Sequence, residues 1–225
     1  GKGKGKGKGK DGGHGWGGGL GLLAMKLLVP PNEASCVLGK GGATVREIGQ
    51  VTGTRVTLSG RDQFYPGTQL QELVIKGSSQ ESIVNAAMQV LERISSLSGS
   101  VNGGDARVEP GGCRLKVVVP SASASAIIGP GGSVVRTMRD RSRMHVHVEE
   151  TIVPPGPPHE LTDQVVSLSG PLDGTRTALS MLAEAVGQFA SAPWFDAWSG
   201  NSHCGLVVPG LVLFADGGKG KGKGK

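Results

Sequence analysis

The chain has 225 residues, 40 of them glycine, and a formal charge of +6. Nine of its 24 basic residues are lysines alternating with glycine at the two ends, so the stretch between sets 15 basic residues against all 18 acids and is net −3. A basic balance points to an anionic partner, no run approaches the roughly 20 apolar residues of a membrane span, and three scattered cysteines (Cys36, Cys113, Cys204) make neither a disulfide framework nor a zinc knuckle.

Residues 1–22 predict a disordered Gly/Lys-rich tail, because Gly-Lys alternation offers almost nothing to bury. Residues 25–29 are apolar and β-prone, and Pro30 ends them. Asn32 is placed to cap a short helix over 33–38. That helix runs into Gly39-Lys40-Gly41-Gly42, and a second helix follows over 43–51, with Val45, Ile48 and Val51 at helical spacing and Gly53 as its breaker. Residues 55–59 alternate as a strand, 60–68 form a loop around Pro66-Gly67, and 70–76 form another strand. Ser78 is placed to cap a longer helix over 80–95, with Ile83, Ala86, Ala87, Val90, Leu91 and Ile94 on one face.

Residues 98–112 are rich in Gly and Ser and read as a linker that permits relative motion unless the flanking units share an apolar interface. The pattern then repeats with an offset of 90: Val29-Pro30 returns as Val119-Pro120, Gly39 as Gly129, Arg46 as Arg136 and Val56 as Val146. The second unit reads as strand 115–119, helix 123–128, Gly129-Pro130-Gly131-Gly132, helix 134–141, strand 144–149, a proline-rich loop 153–159, strand 165–169 and helix 175–189. The expected division is a tail (1–22), a first domain (23–97), a linker (98–112), a second domain (113–190) and a C-terminal segment with a Gly/Lys-rich tail (191–225). The order β-α-α-β-β-α predicts an α+β domain, three antiparallel strands covered on one face by three helices. Within 191–225, Trp194, Phe195 and Trp198 have two readings: they dock on the second domain, or they bind a protein partner. The chain opens at Gly1 and closes inside a Gly-Lys repeat, which leaves open that it is a piece of something longer.

Chemistry concentrates in the two Gly-x-x-Gly loops. Glycine permits positive φ and close approach of another backbone. Each loop also opens a helix, whose first N–H groups have no intrahelical partner and favour an anion. Lys40 adds a mobile positive charge, and together these features make a cradle for a phosphodiester backbone. Neither loop fits a nucleotide-binding fingerprint, which needs Gly-x-x-x-x-Gly-Lys-Ser/Thr or Gly-x-Gly-x-x-Gly after a strand. No Ser/His/Asp or paired-carboxylate arrangement is present, so no enzyme is expected, and no cofactor or metal is called for. His145 and His147 share a strand face but have no third ligand near them.

Leu27-Leu28-Val29-Pro30, Gly39-Lys40-Gly41-Gly42 and Phe64-Tyr65-Pro66-Gly67-Thr68, with the doubled loop at identical spacing, make both units resemble KH domains of the eukaryotic type, and within them the Nova and poly(C)-binding group. The resemblance covers about 25–95 and 114–189. It implies single-stranded RNA or DNA binding, with the loop clamping about four nucleotides over a narrow groove. Carried onto the first unit, it implies a floor of Ala34, Ser35, Val37 and Leu38, a clamp of Gly39, Lys40, Gly41 and Gly42 with Arg46 beside it, Val56 opposite, and Arg55 against base edges. A floor of small and aliphatic residues favours pyrimidines by size.

In the second unit the matching positions are Ser125, Ile127, Ile128, Gly129, Pro130, Gly131, Gly132, Arg136 and His145. Pro130 removes a charge and an N–H there, and His145 stands where Arg55 stands. Arg136, Arg139, Arg141 and Arg143 restore the charge in number. Phe64 and Tyr65 either stack on a base or pack their loop onto its own sheet. The tail lysines add salt-sensitive, sequence-independent affinity. The function expected is RNA binding in post-transcriptional regulation, in the nucleus or cytoplasm, where three unpaired cysteines stay reduced. The alternative is a protein-interaction scaffold whose tails supply nonspecific charge.

Overall fold

The structure, a computed structural model, describes residues 23–103, 108 and 110–213, and the Gly-Lys tails expected from the sequence lie outside them. The first half runs β1 (Leu23–Val29), α1 (Pro31–Leu38), α2 (Ala43–Thr52), β2 (Arg55–Leu58), β3 (Gln71–Gly77) and α3 (Gln80–Ser98). A two-residue strand, β4 (Val101–Asn102), lies in the expected linker. The second half runs β5 (Gly112–Pro120), α4 (Ala124–Ile128), α5 (Ser133–Ser142), β6 (His145–Val148), β7 (Asp163–Pro171) and α6 (Leu172–Gly187), and α7 (Phe195–Gly200) follows.

Local chemistry explains most boundaries, with two shifts. Asn32 caps nothing: Pro30 is the N-cap of α1 and Pro31 its first residue, a position where the missing N–H has no helical partner to lose. At α3 the cap is Ser79, which accepts from the Ser82 N–H while the Ser82 hydroxyl reaches back, a reciprocal pair one residue beyond Ser78. Val51 is 70 % exposed although its spacing matches buried Ile48, because it falls in the last turn of α2.

The two expected three-stranded sheets are joined. One sheet runs β2-β3-β1-β5-β7-β6 with antiparallel neighbours throughout, and β4 lies parallel to the start of β5. In the β1–β5 pairing Leu27 faces Val117, the residue 90 positions later, with Lys26 opposite Val118 and Leu28 opposite Lys116. A residue facing its own repeat equivalent in an antiparallel pair marks a pseudo-two-fold axis between the halves. The pairing satisfies the backbone of two strands that would each be an exposed edge. The interface also holds the linker, for Val101 is buried beside β5.

Strand alternation divides the side chains between two faces. Met25, Leu27, Val29, Leu73, Ile75, Val117, Val146 and Leu168 meet the helices in a core that runs through both halves, with Val37, Leu91, Ile127, Leu179 and Leu182 from the helical layer. On the opposite face Leu28, Tyr65, Leu70, Val118, Val153, Val165 and Leu213 form a second cluster. The C-terminal segment covers that face like a strap. Phe189, Trp194, Phe195 and Trp198 stack in sequence with centroids 5.7, 5.9 and 5.5 Å apart. The Trp198 indole N–H donates to Asp163 of β7 at 2.7 Å, and the Lys26 ammonium of β1 lies 4.5 Å from the ring centroid. Farther on, the Gly205 N–H donates to the Phe64 carbonyl and the Leu213 N–H to the Gly67 carbonyl, both at 2.9 Å. Of the two readings of the tryptophan segment, docking is the one observed, and it spans both units. Phe195 and Trp198 are each 1 % exposed, so these two rings offer no surface to a partner.

Candidate functional site

Both glycine loops adopt one geometry. Gly39 ends α1 at φ +66°, Gly41 and Gly42 follow at +60° and +75°, and α2 begins at Ala43. Gly129, Gly131 and Gly132 repeat this at +73°, +55° and +76° ahead of α5. A Cβ on Gly39 would collide with the Thr44 side chain, and one on Gly129 with the Val134 side chain, so these glycines also let the loop close on its own helix. A Cβ on Gly41 or Gly131 would meet nothing within 4 Å. These middle positions present bare backbone to whatever approaches from outside.

Helical periodicity sorts the residues expected at the floor. Ser35 and Leu38 face outward, Leu38 at 44 % exposure, whereas Ala34 and Val37 turn into the core. In the second half Ser125 and Ile128 (40 % exposed) face outward and Ile127 is buried. Of the residues expected at the floor, Ser35 and Leu38, and Ser125 and Ile128, are therefore the exposed ones, and Ala34, Val37 and Ile127 lie in the core beneath them. Each loop thus carries an exposed aliphatic side chain immediately before its first glycine.

Charge gathers at the loops unevenly. Lys40 is exposed, and the Arg46 guanidinium donates to the Gly41 carbonyl at 2.8 Å, which aligns it along the loop. Pro130 occupies the equivalent of Lys40 without disturbing the turn, and Arg136 lies along the second loop as Arg46 does along the first. The other arginines of the second half are partly committed. Arg139 donates twice to the Val146 carbonyl, at 3.0 and 2.6 Å, and Arg143 pairs with Asp173 at 2.7 Å. Only Arg136 and Arg141 stay unpartnered among the described residues of that group.

Strand alternation separates the two residues expected opposite the loop. Val56 enters the core beneath the helices. Arg55, next to it on the edge strand β2, points to the other face, as does His145 on β6. Arg55 lines a hollow of about 350 Å³ with Thr57, Lys76, Ser199, Asn201 and Ser202, closed on one side by the strap. Lys76 donates to the Ser199 hydroxyl at 3.0 Å; burial lowers its pKa from the ordinary value, and Asp196 opposes that shift. Tyr65, considered for base stacking, is fully buried with its hydroxyl donating to Asp163 at 3.3 Å. Burial first, and the Asp163 carboxylate next, raise its pKa well above 10.0.

Sequence reasoning missed the polar cluster under the strap. Lys26 is fully buried, 3.8 Å from Glu72, and donates to the Asn201 carbonyl at 2.7 Å. Asp163 accepts from Tyr65 and Trp198, and the His203 ring lies 3.6 Å away. Burial raises the Asp163 pKa, and Lys26 and His203 work against it. A signal was available: Lys26 and Lys116 interrupt two apolar strands at the same repeat position. Glu33 of α1 is also buried; its carboxylate accepts from the Asn102 N–H of β4 at 2.8 Å, and desolvation raises its pKa to about 7 despite that bond.

The family model for the KH domain matches residues 24–92 and 114–184. The RNA-binding protein Pasilla of Drosophila melanogaster is 26% identical over 165 residues, which cover 72% of this chain and 21% of that protein. The RNA-binding protein Nova-2 of Homo sapiens is 27% identical over 174 residues, covering 72% of this chain and 34% of that protein. The chain thus spans between a fifth and about a third of the length of these relatives. Among solved structures, Dim2p from Pyrococcus horikoshii OT3 shares 15% identity over 73% of this chain and 98% of its own, with a TM-score of 0.27, too loose a likeness to carry an argument.

Proposed function

We propose, for a chain that belongs to the KH domain family, that its glycine loops clamp the backbone of single-stranded RNA, the first loop more tightly than the second. The observation that carries this reading is the pair of loops with bare outward backbone at Gly41 and Gly131, each beside an exposed aliphatic residue and an arginine. Backbone and guanidinium suit phosphates, and the aliphatic residue suits a base face. The first loop has Lys40 where the second has Pro130, which donates neither charge nor N–H. Contacts proposed for the first groove are Ser35, Leu38, Gly39, Lys40, Gly41, Gly42 and Arg46. Those for the second are Ser125, Ile128, Gly129, Gly131, Gly132 and Arg136.

A narrow slot over Ser35 and Leu38 favours pyrimidines over purines by size. The role that follows is post-transcriptional regulation of mRNA, through splicing, stability or translation, in nucleus or cytoplasm. The two relatives named as RNA-binding proteins support the partner class.

The test uses the full chain with short C-rich, U-rich and A-rich RNAs, their DNA counterparts, and a Lys40→Asp, Gly41→Asp variant. Asp tolerates the left-handed backbone of Gly41 better than most residues, and there is open space around it. Pyrimidine strands are expected to bind best, and the variant to lose roughly tenfold or more, because it turns attraction to phosphate into repulsion. Equal affinity for every strand refutes the pyrimidine slot, and an unaffected variant refutes the clamp.

A further inference from the structure

Three carboxylates are buried among the described residues, and two of them are answered. Glu72 lies 3.8 Å from the Lys26 ammonium, and Asp163 accepts from Tyr65 and Trp198 with the His203 ring 3.6 Å away. Glu33 of α1, 3 % exposed, has no cation beside it among the described residues. Its one hydrogen bond comes from the Asn102 N–H of β4, to Oε1 at 2.8 Å. Glu33 Oε2 and Asn102 Oδ1 are both buried without a hydrogen-bond partner among the described residues. The repeat itself does not require a carboxyl at this position. The equivalent residue is Ser123, fully buried, whose hydroxyl donates to the Pro120 carbonyl of its own unit at 2.8 Å.

The element that Glu33 holds is a slight one. β4 has two residues, pairs with β5 alone, lies between Gly99 and Gly103, and is anchored by Val101 at 1 % exposure. So short a strand opens at less cost than the strands beside it. Cys113 of β5 is the ionisable side chain on the Glu33 side of the sheet, and burial pushes its thiol up to about 11, so it stays neutral. Arg114 and Lys116 of β5 alternate to the other face, where Lys116 donates to the Gly103 carbonyl at 3.1 Å. Neither they nor a charged residue of α2, α3 or β3 offsets the burial of the Glu33 carboxyl. A buried carboxylate with no cation and one unpaired oxygen is costly. Two events lower that cost: the carboxyl takes up a proton, which supplies a donor beside two orphaned oxygens, or β4 lifts away and water reaches the charge.

We propose that Glu33 and β4 form a proton-controlled latch: the protonated carboxyl keeps the linker strand docked on α1, and ionisation lets that strand open without the rest of the sheet. Burial raises the docked carboxyl from 4.5 to about 7, against the bond from Asn102. Opening returns it to its ordinary value. Docking is therefore at full strength below pH 4.5, weakens as pH rises from 4.5 to 7, and levels off above 7, where docked and open forms are both ionised. The latch joins the linker between the halves to the helix that precedes the first glycine loop. It depends on burial and not on RNA, so it stands or falls apart from the RNA-binding reading.

Amide hydrogen exchange of Asn102, corrected for the intrinsic exchange rate, is followed by NMR from pH 5 to pH 8 in the full chain, as wild type and as Glu33→Gln. Leu27 of β1 serves as the reference for opening of the whole sheet, and the carboxyl carbon of Glu33 is titrated in the wild type. The opening constant at Asn102 should rise roughly 40-fold from pH 5 to pH 7 and flatten above. Asn102 should exchange faster than Leu27 at each pH, and the Glu33 carboxyl should titrate near pH 7. Glu33→Gln should remove most of the pH dependence at Asn102. A Glu33 midpoint near 4.5 refutes the latch, because the carboxyl then gains nothing from a proton when docked. Equal exchange at Asn102 and Leu27 refutes it as well, because β4 then opens only with the sheet. A pH dependence that survives in Glu33→Gln belongs to another group, such as His203, and refutes it too. If Glu33→Gln does not fold, the wild-type midpoint and exchange rates decide alone.

Discussion

Gly39 and Gly41 share a motif and a positive φ but answer different demands: one has no room for a side chain, the other has open space before it. Glu33 shows the same dependence on position. Its helix, α1, carries the groove floor, yet its own side chain turns inward and ties that helix to β4. The carboxyl holds its proton up to about pH 7 in the fold, against 4.5 ordinarily. Between those values the folded chain binds more protons than the unfolded one, so stability falls as pH rises from 4.5 to 7 and levels off above. Glu33→Gln cannot ionise and keeps an acceptor for the Asn102 N–H. Denaturant unfolding should find it more stable than wild type at pH 8, by about 1–3 kcal/mol, and near parity at pH 4. An equal difference at both values would show that ionisation is not the cause.

At the scale of elements, periodicity predicted what each segment is and left open what it meets. The eight residues of α1 place Ala34 and Val37 inward and Ser35 and Leu38 outward because a helix turns 3.6 residues at a time, and β2 splits Arg55 from Val56 because a strand alternates. Both periods were legible, and both sort the expected contact residues into exposed and buried ones. The strap had no such period. Its short helix α7 is held by particular partners, above all the Trp198 N–H on Asp163. Trp198→Phe keeps a ring over Lys26 but removes that donor from a buried carboxylate. It should lower the unfolding free energy by about 1–3 kcal/mol with little change in denaturant m-value. An unshifted midpoint would mean that the hydrogen bond contributes nothing net.

At the scale of the molecule, the halves share one sheet and one helical core, so they should not unfold independently. Calorimetry should show a single transition whose calorimetric and van't Hoff enthalpies agree. Two resolved transitions would show that the β1–β5 pairing and the α3–α6 contact are too weak to couple the halves. The shared sheet also fixes the two loops relative to each other, which a Gly/Ser linker on its own would not.

The sequence by itself determined the repeat, the element order within each unit, the α+β class and the two glycine loops. Those properties rest on local chemistry: positive φ, helical and strand periods, and chain breakers at defined spacing. Tertiary structure decided that Leu27 meets Val117, that Lys26 and Asp163 lie buried under Trp198, and that Arg55 and the strap line one hollow. These are contacts between residues up to about 175 positions apart, as from Lys26 to Asn201. They depend on which surfaces are left to cover once the local elements have formed, and no local pattern encodes that.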